Sequence, residues 1–455
     1  MKIVIVGAGK VGVALTRHLA VENKVTVIDQ NPHLVENIIN IYDVMGVCGN
    51  GASYDVQKEA DVEQADLLIA TTSSDEINIL TCLVAKKMGV QHTIARIRSP
   101  EYGRQLRFMR SELGLSMAIN PEAATAREIA RVLRFPTAMK LESFSKGRLE
   151  LVEYRVAEHT ALDGTRLSEL YRNFKVRVLI CAVARQGETI IPSGDFTLRA
   201  GDKIYLTAAP RDLEKFFRLL GVFRARASSV MIVGASKMCY YLASELLEMG
   251  MSVKIIDQNE QRCVEMSERL PRALVIVGDG TDSELLSEEG ISQTDAFVAI
   301  TGLDEANILM ALSAAKQSGD CCKVVAKINR KSLLDLVSTE SLIDSVVSTG
   351  AVTTELILQY IRAMKNASAS KVKTLHRIVD EKVEALEFSV TPDIPFVNVP
   401  LKDLNLKRGL LLAGIVRQNG QIVIPAGDDM LHPHDDVIVV TTDTQLDDLR
   451  DILEE

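Results

Sequence analysis

The sequence lacks the marks of several protein classes. Its seven cysteines are an odd number, and no two stand at the spacing C-x-x-C. Cys48, Cys82, Cys181, Cys239 and Cys263 are scattered through apolar segments, and Cys321 and Cys322 are adjacent. Disulfide frameworks and zinc sites need other spacings, so these read as buried free thiols in a reducing compartment. The longest apolar runs, such as LLLAGIV ending at Val416, fall far short of the roughly 20 residues of a membrane span. No leader-like segment precedes the strand pattern Lys2–Val6, which predicts an intracellular protein that would act at a membrane only through a partner. The 52 basic and 61 acidic residues give a net charge of −9 with no basic run, an argument against a nucleic-acid partner.

The remainder has the composition of an ordinary globular protein, 47% apolar and 25% charged over 455 residues, enough for about three domains. The chain is internally duplicated. KIVIVGAGKVGVALTRHLA near the N-terminus is echoed by VMIVGASKMCYYLASELL from Val230, VTVIDQN by VKIIDQN, and ADLLIATTSSDEINIL by TDAFVAITGLDEANIL. The segments between repeat too: ARQGETIIPSGD resembles VRQNGQIVIPAGDD. The order is A–B–A′–B′, with A over 1–125, B over 141–225, A′ over 229–350 and B′ over 371–455. RARASS (224–229) and NASASK (366–371) have linker composition. In A, short β-branched runs (25–29, 44–47, 67–71, 93–97) alternate with helical patterns, one starting at Asn31-Pro32 and another at Asp75. This predicts a doubly wound parallel α/β sheet. B, with short strands, turn signals and a helix near 211–220, predicts a small α+β unit.

The strongest motif is Gly7-x-Gly9-x-x-Gly12 between the first strand and first helix. Gly7 permits the turn, Gly9 a close phosphate, and Gly12 tight helix packing, and the amides of Lys10 and Val11 point at the phosphates. Asp29, ending the next strand, can accept both adenosine ribose hydroxyls. It would repel a 2′-phosphate, and no arginine follows, which favours NAD(H) over NADP(H). Gly49-Asn50-Gly51 could pass beneath the adenine, Thr72, Ser73 and Ser74 offer hydroxyls and amides, and Arg96 and Arg98 share one face. Those arginines could meet a phosphate or pair with Asp75, Glu76 or Glu101. The second copy retains Gly234 and Ala235 but has Ser236, Lys237, Met238 and Cys239 where the first has Gly-Lys-Val-Gly. Asp257 survives, and Lys327 replaces Arg96. A weaker, altered or empty second site follows. No catalytic constellation is evident around His18, His33 or His92, and His432-Pro433-His434 reads as a solvated loop rather than a metal site. Asp75-Glu76 and Asp304-Glu305 read as helix-dipole partners, ahead of a cation site. The amphipathic segment 121–134, with Ile129, Val132 and Leu133 on one side, could pack on a neighbouring subunit.

Gly7-Ala8-Gly9-x-Val11-Gly12, Asp29-Gln30-Asn31, Gly49-Asn50-Gly51 and T-x-x-D-E-x-N-I at 72–79 together resemble the regulator-of-potassium-conductance (RCK, or KTN) domain. The B segments resemble its C-terminal subdomain. Two such pairs in tandem resemble the cytosolic regulatory subunits of Trk-type potassium-uptake systems. The resemblance implies a non-enzymatic peripheral protein on the cytoplasmic face of the inner membrane. It would bind NAD(H) and adenine nucleotides such as ATP and ADP. It would gate an integral-membrane potassium transporter as a homotetramer, a ring of eight domains. By the same resemblance Gly7 to Val11, Asp29, Ser73, Ser74 and Arg98 form a first site, and Gly234 to Met238 with Asp257 a second. The rival reading is a soluble NAD-dependent oxidoreductase, which would need a proton donor beside the nicotinamide.

Overall fold

A computed structural model of the chain describes residues 1–102, 113–145, 147–223, 227–319, 322–337, 343–365, 372–379, 382–443, 446 and 448–454. Half of the first linker (224–226), all of the second (366–371) and Cys321 lie outside the described residues. The first α/β copy runs β1 (Lys2–Val6), α1 (Lys10–Leu19), β2 (Lys24–Asp29), α2 (Pro32–Ile41), β3 (Met45–Cys48), α3 (Tyr54–Glu59), β4 (Leu67–Ala70), α4 (Asp75–Lys87), β5 (His92–Arg96), β6 (Met117–Ile119) and α5 (Pro121–Arg134). The first α+β copy has β7 (Lys140–Phe144), β8 (Leu149–Arg155), α6 (Leu170–Phe174), β9 (Leu179–Arg185), β10 (Glu188–Ile190), β11 (Lys203–Ala208) and α7 (Pro210–Leu219). The second α/β copy repeats the plan from β12 (Ser229–Val233) and α8 (Lys237–Glu248) through β13 (Ser252–Asp257), α9 (Glu260–Arg269), β14 (Leu274–Val277), α10 (Ser283–Glu288), β15 (Ala296–Ala299), α11 (Asp304–Ser318), β16 (Lys323–Lys327), α12 (Lys331–Val337) and β17 (Ser345–Val347) to α13 (Thr349–Lys365). The last α+β copy contains β18 (Val372–Ile378), β19 (Val383–Ser389), β20 (Leu410–Val416), β21 (Ile422–Val423) and β22 (Asp436–Thr441).

Each α/β copy is a six-stranded parallel sheet of the same order, β3-β2-β1-β4-β5-β6 and β14-β13-β12-β15-β16-β17. The order reverses beside β1 and β12, so the cleft at the strand C-termini opens there. Helices cover both faces, which is why β4 (LLIA) and β15 (AFVA) are buried at every residue. Each α+β copy is a five-stranded antiparallel sheet.

The chain divides into two compact units, each made of two separated stretches. One unit, residues 1–130 with 228–356, holds both α/β copies. The other, residues 131–227 with 357–455, holds both α+β copies. In the α+β unit the sheets share a core in which Phe144, Leu149, Leu151 and Tyr205 meet Val383, Ala385, Ala413 and Val440. The Ser145 hydroxyl donates to Glu387 across it at 2.7 Å.

Two sequence expectations need correction. Ile129, Val132 and Leu133 of α5 are 0, 1 and 0% exposed within this one chain. The apolar stripe is consumed by the chain's own core, so it offers nothing to a neighbouring subunit. Cys48 is exposed, unlike Cys82, Cys181, Cys239, Cys263 and Cys322, because it ends the edge strand β3.

Candidate functional site

Gly7 leaves β1 with φ +107°, a conformation costly for any other residue, and a Cβ there would lie 2.8 Å from the Thr71 carbonyl carbon. Gly12 sits so close to the turn that its Cβ would lie 1.8 Å from the Gly7 carbonyl oxygen. Gly9 is different. Its φ of −74° and ψ of −173° suit any residue, and a Cβ would meet nothing within 4 Å. The fold needs Gly7 and Gly12 but does not itself need Gly9; the space beside it faces outward.

Around that space the amides of Gly9, Lys10, Val11 and Gly12 have no acceptor among the described residues, and no side chain caps α1. Helix amides in this position attract anions through their N–H groups and the helix dipole. Beside them Asp29 is braced by backbone. Its Oδ2 accepts the Ala8 amide at 2.6 Å, and its Oδ1 accepts the Asn31 amide at 2.8 Å. A carboxylate has about four lone-pair positions, so it can take two further donors in a fixed orientation. Gly51 closes the floor, where a Cβ would lie 2.1 Å from Val6 Cγ1.

The opposite wall is the loop between β4 and α4. Asn78, fully buried, organises it. Its carbonyl oxygen accepts the Thr72 amide at 2.8 Å and the Thr72 hydroxyl at 2.7 Å, and its amide donates to the Arg96 carbonyl at 2.8 Å. Ser74 caps α4 by accepting the Ile77 amide at 3.2 Å, while Ser73 stays exposed. The guanidinium of Arg96 donates to the Thr72 carbonyl at 2.5 Å, and that of Arg98 donates to the Ser73 carbonyl. Each arginine keeps a buried Nε without an acceptor.

Asp75 stands in the first turn of α4, as the helix-dipole reading has it, and does more. It is buried, and its Oδ2 accepts the amides of Arg98 and Ser99 at 2.9 and 2.8 Å. Asp304 does the same for Asn329 and Arg330, both at 2.9 Å. These carboxylates tie the exit of the fifth strand to the loop after the fourth. Of the arginine's candidate acidic partners, Asp75 is the one reached, with Arg98 Nε 3.7 Å from its Oδ1. Glu76 instead accepts the Ser74 hydroxyl at 2.7 Å and the Tyr102 hydroxyl at 2.8 Å. Those bonds and one from its own amide hold its pKa at about 2.

Sequence reasoning missed three further residues. Glu122, at the start of α5, has a buried Oε2 without a hydrogen-bond donor. Burial pushes its carboxyl up, against the pull of Arg98 and Arg96. Tyr241 on α8 donates to the Arg98 carbonyl at 2.9 Å and accepts from Asn120 at 2.8 Å, so the second α/β copy touches the first copy's arginine strand. The clue was available: Tyr240-Tyr241 stand where the first copy has Val13-Ala14, a change to large polar aromatics inside a repeat.

The second copy reproduces half of this geometry. Gly234 has φ +112°, and Asp257 accepts the Ala235 amide at 2.6 Å and the Asn259 amide at 2.8 Å. Ser236, however, caps its own helix, accepting the Cys239 amide at 3.4 Å, and its own amide donates to the Gly234 carbonyl at 3.0 Å. Lys237 is exposed and Met238 buried. His18 and His33 lie on α1 and α2, and His92 starts β5 at the end of the sheet away from the cleft. His432 and His434 are exposed, with His432 bonded to Asn398 at 2.6 Å.

A family model of the TrkA-N domain matches residues 3–121 and 230–349, and one of the TrkA-C domain matches 151–221 and 385–454. The chain is 32% identical to the Trk system potassium uptake protein TrkA homolog of Archaeoglobus fulgidus, covering 99% of this chain and 100% of that protein. It is 33% identical to the Trk system potassium uptake protein TrkA of Vibrio alginolyticus, covering 97% and 95%. Among solved structures it is similar to the GsuK channel bound to NAD, with a TM-score of 0.62 and 20% identity over 98% of this chain and 77% of that one. The GsuK RCK domain gives 0.62 and 18% over 98% and 93%. At such identities the likeness to these structures concerns the fold. No helix among the described residues is long and apolar enough to cross a membrane.

Proposed function

We propose that this chain, which belongs to the TrkA family of Trk system potassium uptake proteins, is a nucleotide-binding regulatory subunit that controls a membrane-embedded potassium transporter without catalysing a reaction. The ligand is NAD(H), held by the first α/β copy. Its diphosphate lies against the amides of Gly9 to Gly12, its adenosine ribose hydroxyls on Asp29, and its adenine beside Gly51. ATP and ADP share the adenosine half of this site, with their terminal phosphates toward Ser73, Arg96 and Arg98. The observation that carries the reading is the row of unsatisfied helix amides beside a carboxylate already oriented by two backbone donors.

The subunit works as a homotetramer on the cytoplasmic face of the inner membrane. Regulation requires only that the nucleotide bind one arrangement of the ring more tightly than another, since a ligand shifts an equilibrium by its differential affinity. Arg96 and Arg98 supply such a difference. Their guanidiniums now donate to the Thr72 and Ser73 carbonyls, and a phosphate would compete for the same donors. Binding at the cleft thereby loosens or re-forms the loop that Asn78 organises.

Calorimetric titration of the full chain with NADH, NAD+ and ATP, repeated on Asp29→Ala, tests the binding. Loss of the ribose acceptor should weaken binding by about tenfold or more, the cost of a charged hydrogen-bond partner. No heat with any nucleotide, or unchanged affinity in the variant, rejects the reading. Equal affinities with and without the potassium transporter in liposomes would reject the regulatory half. Turnover of bound NADH with a small substrate would instead establish the oxidoreductase alternative.

A further inference from the structure

We infer that the chain binds one dinucleotide, in its first α/β copy, because Ser236 has turned the second copy's phosphate cradle into a self-capped helix end. The inference rests on the proposed dinucleotide site and states which of two homologous clefts can serve.

The two copies differ at one functional position whose structural requirements are the same. Gly9 and Ser236 are both helix N-caps with extended backbone, at φ −74°, ψ −173° and φ −94°, ψ 174°. Ser236 therefore demonstrates that a Cβ is compatible with this turn, and the open space beside Gly9 agrees. Glycine at position 9 answers to something outside the fold, namely a group that approaches the backbone. In the second copy the serine side chain stands in that approach, and its hydroxyl takes the Cys239 amide. The Ser236 amide is also withdrawn, because it donates to the Gly234 carbonyl. The equivalent amides of Gly9 and Gly12 have no acceptor among the described residues. A diphosphate in the second copy would have to displace both bonds and the side chain, while in the first it meets free donors.

Two further differences act in the same direction. Cys239 replaces Gly12, whose Cβ would overlap the Gly7 carbonyl at 1.8 Å, so the second copy cannot repeat the first copy's packing of helix on turn. Asn329 replaces Arg98 at the strand exit, removing one cation. Of the cations left at that exit, Arg330 is paired with Glu305 and lies 3.9 Å from Asp304, and Lys327 has charged neighbours that include Asp304 as well as Lys10 and Glu122 of the first copy.

The test is binding stoichiometry on the full-length protein, using NADH as the probe. The wild type should take one NADH per chain. Gly9→Ser, which copies the second site's residue into the first, should reduce this to none while leaving the thermal midpoint unchanged. Two NADH per chain in the wild type overturns the inference and leaves the proposed function standing. One NADH retained by Gly9→Ser places the ligand in the second copy and also overturns it. No binding in the wild type removes the dinucleotide reading itself, and this inference with it. Should Gly9→Ser fail to fold, Asp257→Ala in the second copy gives the same decision: it should leave one NADH per chain, and loss of that NADH overturns the inference.

Discussion

The hydroxyl of Tyr241 donates to the carbonyl of Arg98 at 2.9 Å, joining the first helix of one α/β copy to the arginine strand of the other. The bond has no counterpart in the reverse direction, because Ala14 occupies the equivalent place in the first copy. The two copies are thus related in fold but unequal in what they do for the cleft. Tyr241→Phe removes the donor and the shorter of the Asn120 amide's two bonds, leaving that amide on the Arg98 carbonyl at 3.3 Å. Nucleotide affinity should fall about fivefold, the size of one net hydrogen bond of ~1 kcal/mol, with the stoichiometry unchanged. Calorimetry on the variant checks both numbers.

Glu122 should make nucleotide binding depend on pH. Burial raises its pKa, so it takes up a proton at a higher pH than an exposed carboxyl, and the cluster of Arg96, Arg98 and Lys327 around it becomes more positive. The diphosphate of NAD stays ionised throughout, so affinity should rise as pH falls through the raised Glu122 titration. Glu122→Gln should give about fivefold tighter binding at neutral pH, as expected for one partly screened charge of ~1 kcal/mol, and a flat profile. An unaltered pH dependence in the variant would assign the titration elsewhere.

Gly12→Ala should destabilise the α/β unit by about 3 kcal/mol, the upper end of overpacking costs. The added methyl has no room beside the Gly7 carbonyl. Gly9→Ala should be within about 0.5 kcal/mol of the wild type, as for an unconstrained surface position. Urea unfolding of the two variants, followed by far-ultraviolet circular dichroism, compares them directly; equal midpoints would contradict the packing argument.

The duplication and the doubly wound sheets were legible because parallel strands buried on both faces are written as nearly continuous apolar runs, and LLIA and AFVA are buried throughout. Gly7, Gly9, Gly12 and Asp29 were legible because spacing along one strand–turn–helix determines where they lie. Tyr241 was not, since its meeting with Arg98 depends on how two sheets more than 100 residues apart along the chain pack. Asn120 and Glu122 were not, since they reach Arg98 only through the pairing of the fifth and sixth strands. The second role of Asp75 was hidden for a related reason. At a helix start an acid ordinarily serves the dipole, and only the tertiary path brings the amides of Arg98 and Ser99 over it. The stripe on α5 showed the correct face and the wrong partner, because amphipathicity reports that a face is covered and not by what.

Cys48 gives a chemical handle on the Asp29 side of the cleft. It pairs in register with Asp29 and is exposed, whereas burial pushes the thiols of Cys82, Cys181 and Cys239 well above the usual range. Iodoacetamide should therefore modify Cys48 at least tenfold faster than those three, by thiolate fraction and access together. NADH should slow the reaction at Cys48. Peptide mass spectrometry with and without the nucleotide measures both effects.

Each compact unit is assembled from two stretches that alternate along the chain, and this dictates the order of events during synthesis. A ribosome that has released 227 residues has delivered one member of each pair. The Arg98 carbonyl then awaits a tyrosine not yet polymerised, and Phe144 and Leu149 await the strands bearing Val383 and Val440. Truncated products of this gene therefore present raw apolar sheet faces, the kind of surface that chaperones hold and proteases clear.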